Sequence, residues 1–168
     1  MKSKIHEFQK KYKIMSKKTF IIVAFILGSF AVQAQELVWQ TDIKKAMEIS
    51  NKTQKPMLLF FTGSDWCGWC IRLQNEVLKT PEFAVWAKKN VVLVELDFPR
   101  RTPQSDELKN QNAGMQQAFG IQGYPTVWFA TAKLKEGKPS FTGIGSTGYV
   151  AGGSAAWLAV ADGILKNK

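Results

Sequence analysis

The chain has 168 residues, enough for one domain with a buried core, and a formal net charge of +10 at pH 7. This charge first suggests a nucleic acid or an anionic membrane as partner, but seven of the lysines fall within the first 34 residues, against one glutamate. The rest of the chain carries 16 basic and 12 acidic residues without a cluster, which argues against nucleic-acid binding.

The N-terminal segment contains an apolar run at residues 20–32, and two lysines precede it. At 13 residues, the run suits the apolar region of a secretory signal peptide and is short for a membrane span, which needs about 20 residues. A permanent membrane anchor is the alternative that stays open. The segment predicts export.

Small side chains at Val32 and Ala34 indicate cleavage before Gln35. We therefore divide the chain into a signal peptide at residues 1–34 and a domain at residues 35–168. The first 14 residues are an unusual polar extension, so a true start at Met15 is a second interpretation. Export predicts a periplasmic or secreted protein, without stable membrane insertion after cleavage, in a compartment where disulfides persist.

Strands and helices alternate along the predicted domain, with a glycine-rich loop at residues 143–148. The pattern predicts strands at residues 36–40, 57–61, 91–96, 126–131 and 140–144. It predicts helices from a Thr41 cap to Lys52, over 71–90 with a bend or restart at Pro81, over 105–119, and after a Ser154 cap. Together these elements indicate an α/β fold, a mixed-sheet sandwich with helices on both faces.

The two cysteines of the chain, Cys67 and Cys70, follow the apolar strand at residues 57–61. A strand leading into Cys-x-x-Cys at the start of a helix is the context in which this spacing indicates redox chemistry. Cys67 at the helix N-terminus would meet free N–H groups and the positive end of the helix dipole, which favour a thiolate. Cys70 falls on the same helical face, within reach of a disulfide.

The order of elements resembles the thioredoxin superfamily, with Trp66-Cys-Gly-Trp-Cys70 after the first core strand and Gly123-Tyr-Pro-Thr126 before a later one. The resemblance covers residues 36–166. Lys55-Pro56 and Asp65 make the chain most similar to secreted bacterial thioredoxin-like proteins and to the C-terminal domain of transmembrane disulfide reductases.

The resemblance implies a role for each residue of the expected site. Cys67 is the exposed nucleophile whose thiolate attacks a substrate disulfide, and Cys70, buried one turn along the helix, resolves the mixed disulfide. The redox-active pair needs no further cofactor. Pro125 is expected to be cis and to face the cysteines, and Tyr124 to pair its backbone with an extended substrate.

Three residues of the motif remain, and substrate binding is a candidate role for each. Gly68 leaves room for the substrate backbone, and Trp66 and Trp69 form flat apolar walls. Trp69 occupies the position where relatives carry proline or histidine. It is either a substrate contact or a shield.

The predicted mature chain contains no histidine, because His6 precedes the cleavage site. A histidine inside the motif would stabilise the thiolate, so its absence favours a potential near about −270 mV over about −120 mV. The same lack argues against a zinc site, which needs about four Cys or His ligands, and against Cys-His catalysis. No metal is expected.

The sequence also lacks a buried acid that typical thioredoxins carry in the strand before the motif, where it takes the proton of the resolving cysteine. That position is Phe60 or Phe61 here, and the matching lysine is replaced near Leu93. Glu95 or Asp97 stays open as a substitute.

The leading hypothesis is an exported thiol–disulfide oxidoreductase that reduces or isomerises protein disulfides through the Cys67–Cys70 pair. Its expected partners are protein or peptide disulfides and an upstream thiol electron donor, and the chain is expected to act as a monomer. Two alternatives are a dithiol oxidase and a non-catalytic thioredoxin-fold binding module in which the Cys67–Cys70 bridge is structural.

Overall fold

The computed structural model describes residues 37–135 and 138–166. Within these ranges lie four strands, β1 (Met57–Thr62), β2 (Val92–Asp97), β3 (Thr126–Lys135) and β4 (Lys138–Thr147). The same ranges hold five α-helices, α1 (Ile43–Thr53), α2 (Gly68–Leu73), α3 (Pro81–Asn90), α4 (Asp106–Ala118) and α5 (Gly153–Leu165). None of these helices is long and apolar enough to cross a membrane. The predicted signal peptide, its cleavage site and Met15 lie outside the described residues.

The four strands form one mixed sheet in the order β2-β1-β3-β4. β1 runs parallel to β2, with Phe60 opposite Glu95, and antiparallel to β3, with Phe61 opposite Thr126. β3 and β4 form an antiparallel hairpin. All six residues of β1 are buried, as its continuous apolar run predicted for a central strand covered on both faces.

Successive residues of β1 face two separate hydrophobic clusters. Leu58 and Phe60 belong to the cluster that contains both cysteines and is covered by α2, α3 and α5. Leu59 and Phe61 belong to the second cluster, which α1 and α4 cover. Helices therefore pack on both faces of the sheet, and the predicted fold class is confirmed.

Two predicted helix caps and one predicted loop were wrong. Asp42, not Thr41, caps α1, because its carboxylate reaches the backbone N–H groups of Lys44 and Lys45. At α5 the cap residue is Gly152, two positions before Ser154. The predicted glycine-rich loop is mostly strand, because β4 continues to Thr147 alongside β3.

The described part of the predicted first strand is an isolated bridge between Gln40 and Val94. This single bridge at the edge of β2 does not extend into a hydrogen-bonded ladder, so the described residues of this segment do not form a strand.

The helix that begins after Cys67 changes its winding before it ends. α2 continues into a π-helical segment at Gln74–Leu78, and α3 then starts at Pro81 behind a Thr80 cap. The Thr80 side chain accepts the N–H of Phe83 at 3.3 Å. The predicted bend at Pro81 is therefore a restart, in which proline takes the first helical position where its missing N–H is harmless.

Candidate active site

The cysteine pair lies where β1 delivers the chain to α2. Cys67 is the cap residue of α2, and its Sγ accepts the backbone N–H of Cys70 at 3.2 Å. The two residues form a disulfide, with their Cα atoms 5.2 Å apart. Cys67 is 7% exposed and Cys70 is 0% exposed. Cys67 is thus the more accessible of the two, although it is less exposed than we expected for the nucleophile.

Two carboxylates hold the turn that positions Cys67. Asp97, at the end of β2, accepts the backbone N–H of Ser64 at 2.8 Å and its hydroxyl at 2.6 Å. Asp65 accepts the backbone N–H groups of Arg100, Arg101 and Thr102 at 2.8 to 3.0 Å. These bonds tie the turn to the loop after β2.

The Arg100 hydrogen bond is the largest cause of a lowered Asp65 pKa, which falls from 3.8 to about 2. Burial opposes the shift, and the bonds from Arg101 and Thr102 add to it. Asp65 therefore stays ionised and keeps its three amide partners across the physiological pH range.

Trp66 is fixed from three sides. Its Nε1 donates to the Phe98 carbonyl at 2.8 Å, and the Arg100 guanidinium carbon lies 3.9 Å from its ring centroid. Its indole also covers Gly63 so closely that a Cβ there would lie 2.4 Å from a ring atom. Glycine at position 63 is therefore a steric requirement of this packing.

Tyr124 and Pro125 are joined by a cis peptide bond at the start of β3. The Tyr124 ring lies 5.3 Å from that of Phe98 and meets Trp66 edge-on at 5.8 Å. Its hydroxyl donates to Gln116 at 3.1 Å, and burial raises its pKa. Strand alternation places Pro125 on the same face as Val127, whose cluster contains both cysteines.

Trp69 stands apart from this group, on the outer side of α2. Its side chain is 56% exposed and packs against Tyr149 at 5.1 Å between ring centroids. The Arg72 guanidinium carbon lies 5.3 Å from the Trp69 centroid and 5.0 Å from that of Tyr149. Glu76 accepts from Arg72 at 2.7 Å and from Tyr149 at 2.6 Å. Trp69 is an exposed ring held by a fixed support.

The hydrogen bond from Tyr149 is the largest cause of a lowered Glu76 pKa, followed by the bond from Arg72. Sequence reasoning missed Tyr149 and Glu76. The four-residue spacing from Arg72 to Glu76 was a visible signal for an ion pair on one helix. Tyr149 contacts Glu76 across 73 positions of sequence, so no local sequence pattern could predict this contact.

Phe60 occupies the place of the expected buried acid, and Glu95 lies opposite it in the sheet. Glu95 is partly buried and lines a cavity of about 180 Å³ that Phe60 and Gln74 also line. Burial raises the pKa of Glu95 above its ordinary 4.5, and the Asp97 carboxylate adds to the shift. Two residues were candidate substitutes for the missing acid. Asp97 already accepts two hydrogen bonds from Ser64. Glu95 therefore remains as the candidate on the cysteine side of the sheet.

One cluster gathers the predicted site residues Trp66, Cys67, Cys70 and Tyr124, and a cis peptide bond joins Pro125 directly to Tyr124. Gly68 is exposed at the start of α2, and a Cβ there would have no neighbour within 4 Å. Among residues 37–135 and 138–166, no three His, Cys, Asp or Glu side chains are grouped to hold a metal.

The family profile described as "Thioredoxin-like domain" matches residues 43–147. The chain belongs to the thioredoxin-like family. The match spans α1 to β4 and therefore includes the cysteine turn, the cis-proline and the whole sheet. The resemblance inferred from the sequence is confirmed.

Two curated relatives come from Chlamydia pneumoniae. The thioredoxin-like chain is 35% identical over 135 residues to "Disulfide bond reductase DsbH", covering 80% of this chain and 76% of that protein. It is 29% identical over 133 residues to "Thioredoxin-related protein DsbJ", covering 74% of this chain but 38% of that protein.

Among solved structures, "DsbH Oxidoreductase" superposes with a TM-score of 0.71 at 33% identity, over 83% of this chain and 92% of that one. These similarities, with cysteines at Cys-x-x-Cys spacing in a thioredoxin-like fold, identify the chain as a thiol–disulfide oxidoreductase.

Proposed function

We propose that this thioredoxin-like protein reduces protein disulfides through Cys67 and Cys70. The observation that carries the proposal is their asymmetry: Cys67 caps α2 and is 7% exposed, whereas Cys70 lies inside the helix and is 0% exposed. The similarity to a relative named as a disulfide bond reductase supports the direction of electron flow.

In the proposed reaction, the Cys67 thiolate attacks one sulfur of a substrate disulfide. The substrate S–S bond breaks, a mixed disulfide forms, and the other substrate sulfur leaves as a thiolate that takes up a proton. Cys70, after losing its proton, then attacks the Cys67 sulfur and releases the second substrate thiol. Two electrons and two protons reach the substrate, and the Cys67–Cys70 disulfide is left.

The position of Cys67 favours its thiolate before the attack. Free backbone N–H groups and the helix dipole stabilise a negative sulfur at a helix N-terminus, which lowers the thiol pKa. The N–H of Cys70, 3.2 Å from Cys67 Sγ in the disulfide form, is one such donor. An upstream thiol donor returns the pair to the dithiol form after each cycle.

We assign substrate binding to two surfaces that flank Cys67. Tyr124 and Pro125 offer extended backbone at the start of β3, next to the Trp66 wall. Gly68 leaves space above the helix start, and Trp69 is a substrate contact because its exposed ring already has a fixed support. A ring that shielded the disulfide would pack against Cys67 or Cys70, whereas Trp69 packs against Tyr149 and Arg72.

We further propose that residues 1–34 direct the chain out of the cytosol and that the mature domain acts as a monomer in the periplasm or as a secreted protein. The apolar run at residues 20–32 supports export. N-terminal sequencing of the exported protein checks the cleavage site, and light scattering checks its mass.

Reduction of insulin with dithiothreitol as donor tests the activity. We expect wild-type protein to accelerate the reaction and Cys67→Ser to be inactive, whereas equal rates would restore the binding-module interpretation. Cys70→Ser should trap substrates as mixed disulfides on Cys67 and retain isomerisation of scrambled substrates, since the substrate's own thiol can release Cys67. Equilibration with glutathione separates a reductase from an oxidase by its potential.

A further inference from the structure

Thr62, the last residue of β1, carries a hydroxyl that has no partner among the described residues of this oxidised form. The residue is 0% exposed, and within the described ranges its Oγ1 is the buried side-chain polar atom without a hydrogen-bond partner. Its backbone is satisfied, since its carbonyl accepts the N–H of Phe98 at 2.9 Å. Buried hydroxyls are almost always paired, so this exception needs a physical reason.

The position of Thr62 in the sheet gives a physical reason for its unpaired hydroxyl. Alternation along β1 puts its side chain on the face of Leu58 and Phe60, whose cluster contains both cysteines. The next residue, Gly63, accepts the N–H of Cys67 at 2.9 Å. The register that sets Phe61 opposite Thr126 brings Thr62 level with Pro125. The unpaired hydroxyl therefore lies on the cysteine side of the sheet, at the same end as the disulfide.

Reduction creates a new polar group at this place. A dithiol donor passes two electrons and two protons to the Cys67–Cys70 bond, which breaks into two thiols while the donor becomes a disulfide. Cys67 is 7% exposed and keeps the N–H of Cys70 as a nearby donor. Cys70 is 0% exposed, so its thiol or thiolate depends on a partner inside the protein.

We propose that Thr62 Oγ1 becomes the hydrogen-bond partner of the Cys70 sulfur when the disulfide is reduced. The hydroxyl proton can rotate to donate to a thiolate or leave a lone pair free to accept from a thiol. Thr62 is then a positioning residue for the resolving cysteine. This inference rests on the proposed reductase function and adds a redox-dependent contact to it.

The contact has a defined thermodynamic direction. A hydrogen bond made in the dithiol form alone stabilises that form, and an unpaired buried hydroxyl destabilises the disulfide form. Both effects make the disulfide easier to reduce. Removing the hydroxyl therefore shifts the equilibrium toward the disulfide, and restoring it as serine reverses the shift.

The test compares Thr62→Val, which keeps the shape, with Thr62→Ser, which keeps the hydroxyl, in equilibrium with glutathione. We expect Thr62→Val to shift the equilibrium constant about tenfold toward the disulfide form, which corresponds to about 30 mV for two electrons. Serine should stay within about twofold of wild type. A valine effect below about twofold, or equal effects of both variants, would overturn the inference.

Urea unfolding of the oxidised and chemically reduced forms gives a second readout that does not depend on turnover. Thr62→Val should raise the midpoint of the oxidised form and lower that of the reduced form. Shifts of the same sign and size in both forms would show a packing role alone and would overturn the inference. Wild-type protein that fails to equilibrate with glutathione would contradict the proposed function, while the two midpoints would still decide the role of Thr62.

Discussion

Tyr149 donates its hydroxyl to Glu76 at 2.6 Å, although 73 positions separate them in the sequence. The bond joins the segment after β4 to the π-helical segment that follows α2. Arg72 lies between them, paired with Glu76 and stacked near both Tyr149 and Trp69. The exposed Trp69 ring on the outer side of α2 is thus supported from outside its own helix.

Replacing Trp69 by alanine tests the assignment of this ring to substrate binding. We expect kcat/KM for a protein disulfide to fall by about tenfold, because removing an exposed aromatic anchor from an interface commonly costs more than 1 kcal/mol. The loss should appear mainly in KM. The measurement is steady-state insulin reduction at several substrate concentrations.

A small aromatic disulfide provides the control for Trp69→Ala. It is too short to use the outer side of α2, so its reduction should be unchanged, as should the equilibrium with glutathione. An equal loss on small and large substrates would mean that Trp69 acts on the cysteines and not on substrate binding.

Glu95→Gln tests the raised pKa of this partly buried carboxyl. Because the pKa of Glu95 in the folded protein lies above its ordinary 4.5, the protonated carboxyl contributes stability that is fully present below pH 4.5. This stability is lost as the pH rises through the folded pKa. The variant should therefore match wild type in its free energy of unfolding below pH 4.5 and exceed it increasingly toward pH 7. Urea unfolding from pH 4 to 8 measures the gap, and a gap independent of pH would contradict the assignment.

Asp65→Asn should show the opposite pH dependence. The folded Asp65 pKa of about 2 lies below the ordinary 3.8, so its contribution to stability is present above pH 3.8 and is lost as the pH falls through about 2. The variant should be less stable than wild type at pH 6, and the difference should shrink in acid. Thermal unfolding from pH 2 to 6 measures this. The exposed Glu48→Gln on α1 is the control for removing one surface carboxylate charge.

Gly63→Ala and Gly114→Ala are expected to change the free energy of unfolding in opposite directions. The added methyl at position 63 would overlap the Trp66 indole, so we expect a loss of about 1–3 kcal/mol in the free energy of unfolding. At position 114, inside α4, the methyl meets nothing within 4 Å, and a gain of about 0.4–1 kcal/mol is expected. Urea unfolding measures both, and a neutral Gly63→Ala would show that Trp66 moves freely.

The cysteine turn and the central strand could be predicted because their signals are local. Residues 57–61 form a continuous apolar run, and Cys67 follows at the spacing of a helix start. The cap of α1 was predicted one residue early, because Thr41 and Asp42 are both good cap residues and only the folded backbone decides between them.

The remaining site features depend on contacts that no local pattern carries. Glu95 faces the cysteine side because β1 and β2 pair in one register, with Phe60 opposite it. A slip of one residue would turn it to the other face. Glycines in β4 suggested a loop, yet pairing with β3 overrode their low strand propensity.

Asp65 holds the backbone of residues 100–102, and Arg100 in turn covers Trp66. The Trp66 side of the site is consequently ordered when the chain folds, so little conformational entropy is left for the protein to lose on binding. The entropy lost on association then falls on the partner. Disulfides in segments that are already extended lie nearest to the bound geometry, lose the least entropy on binding and should be preferred.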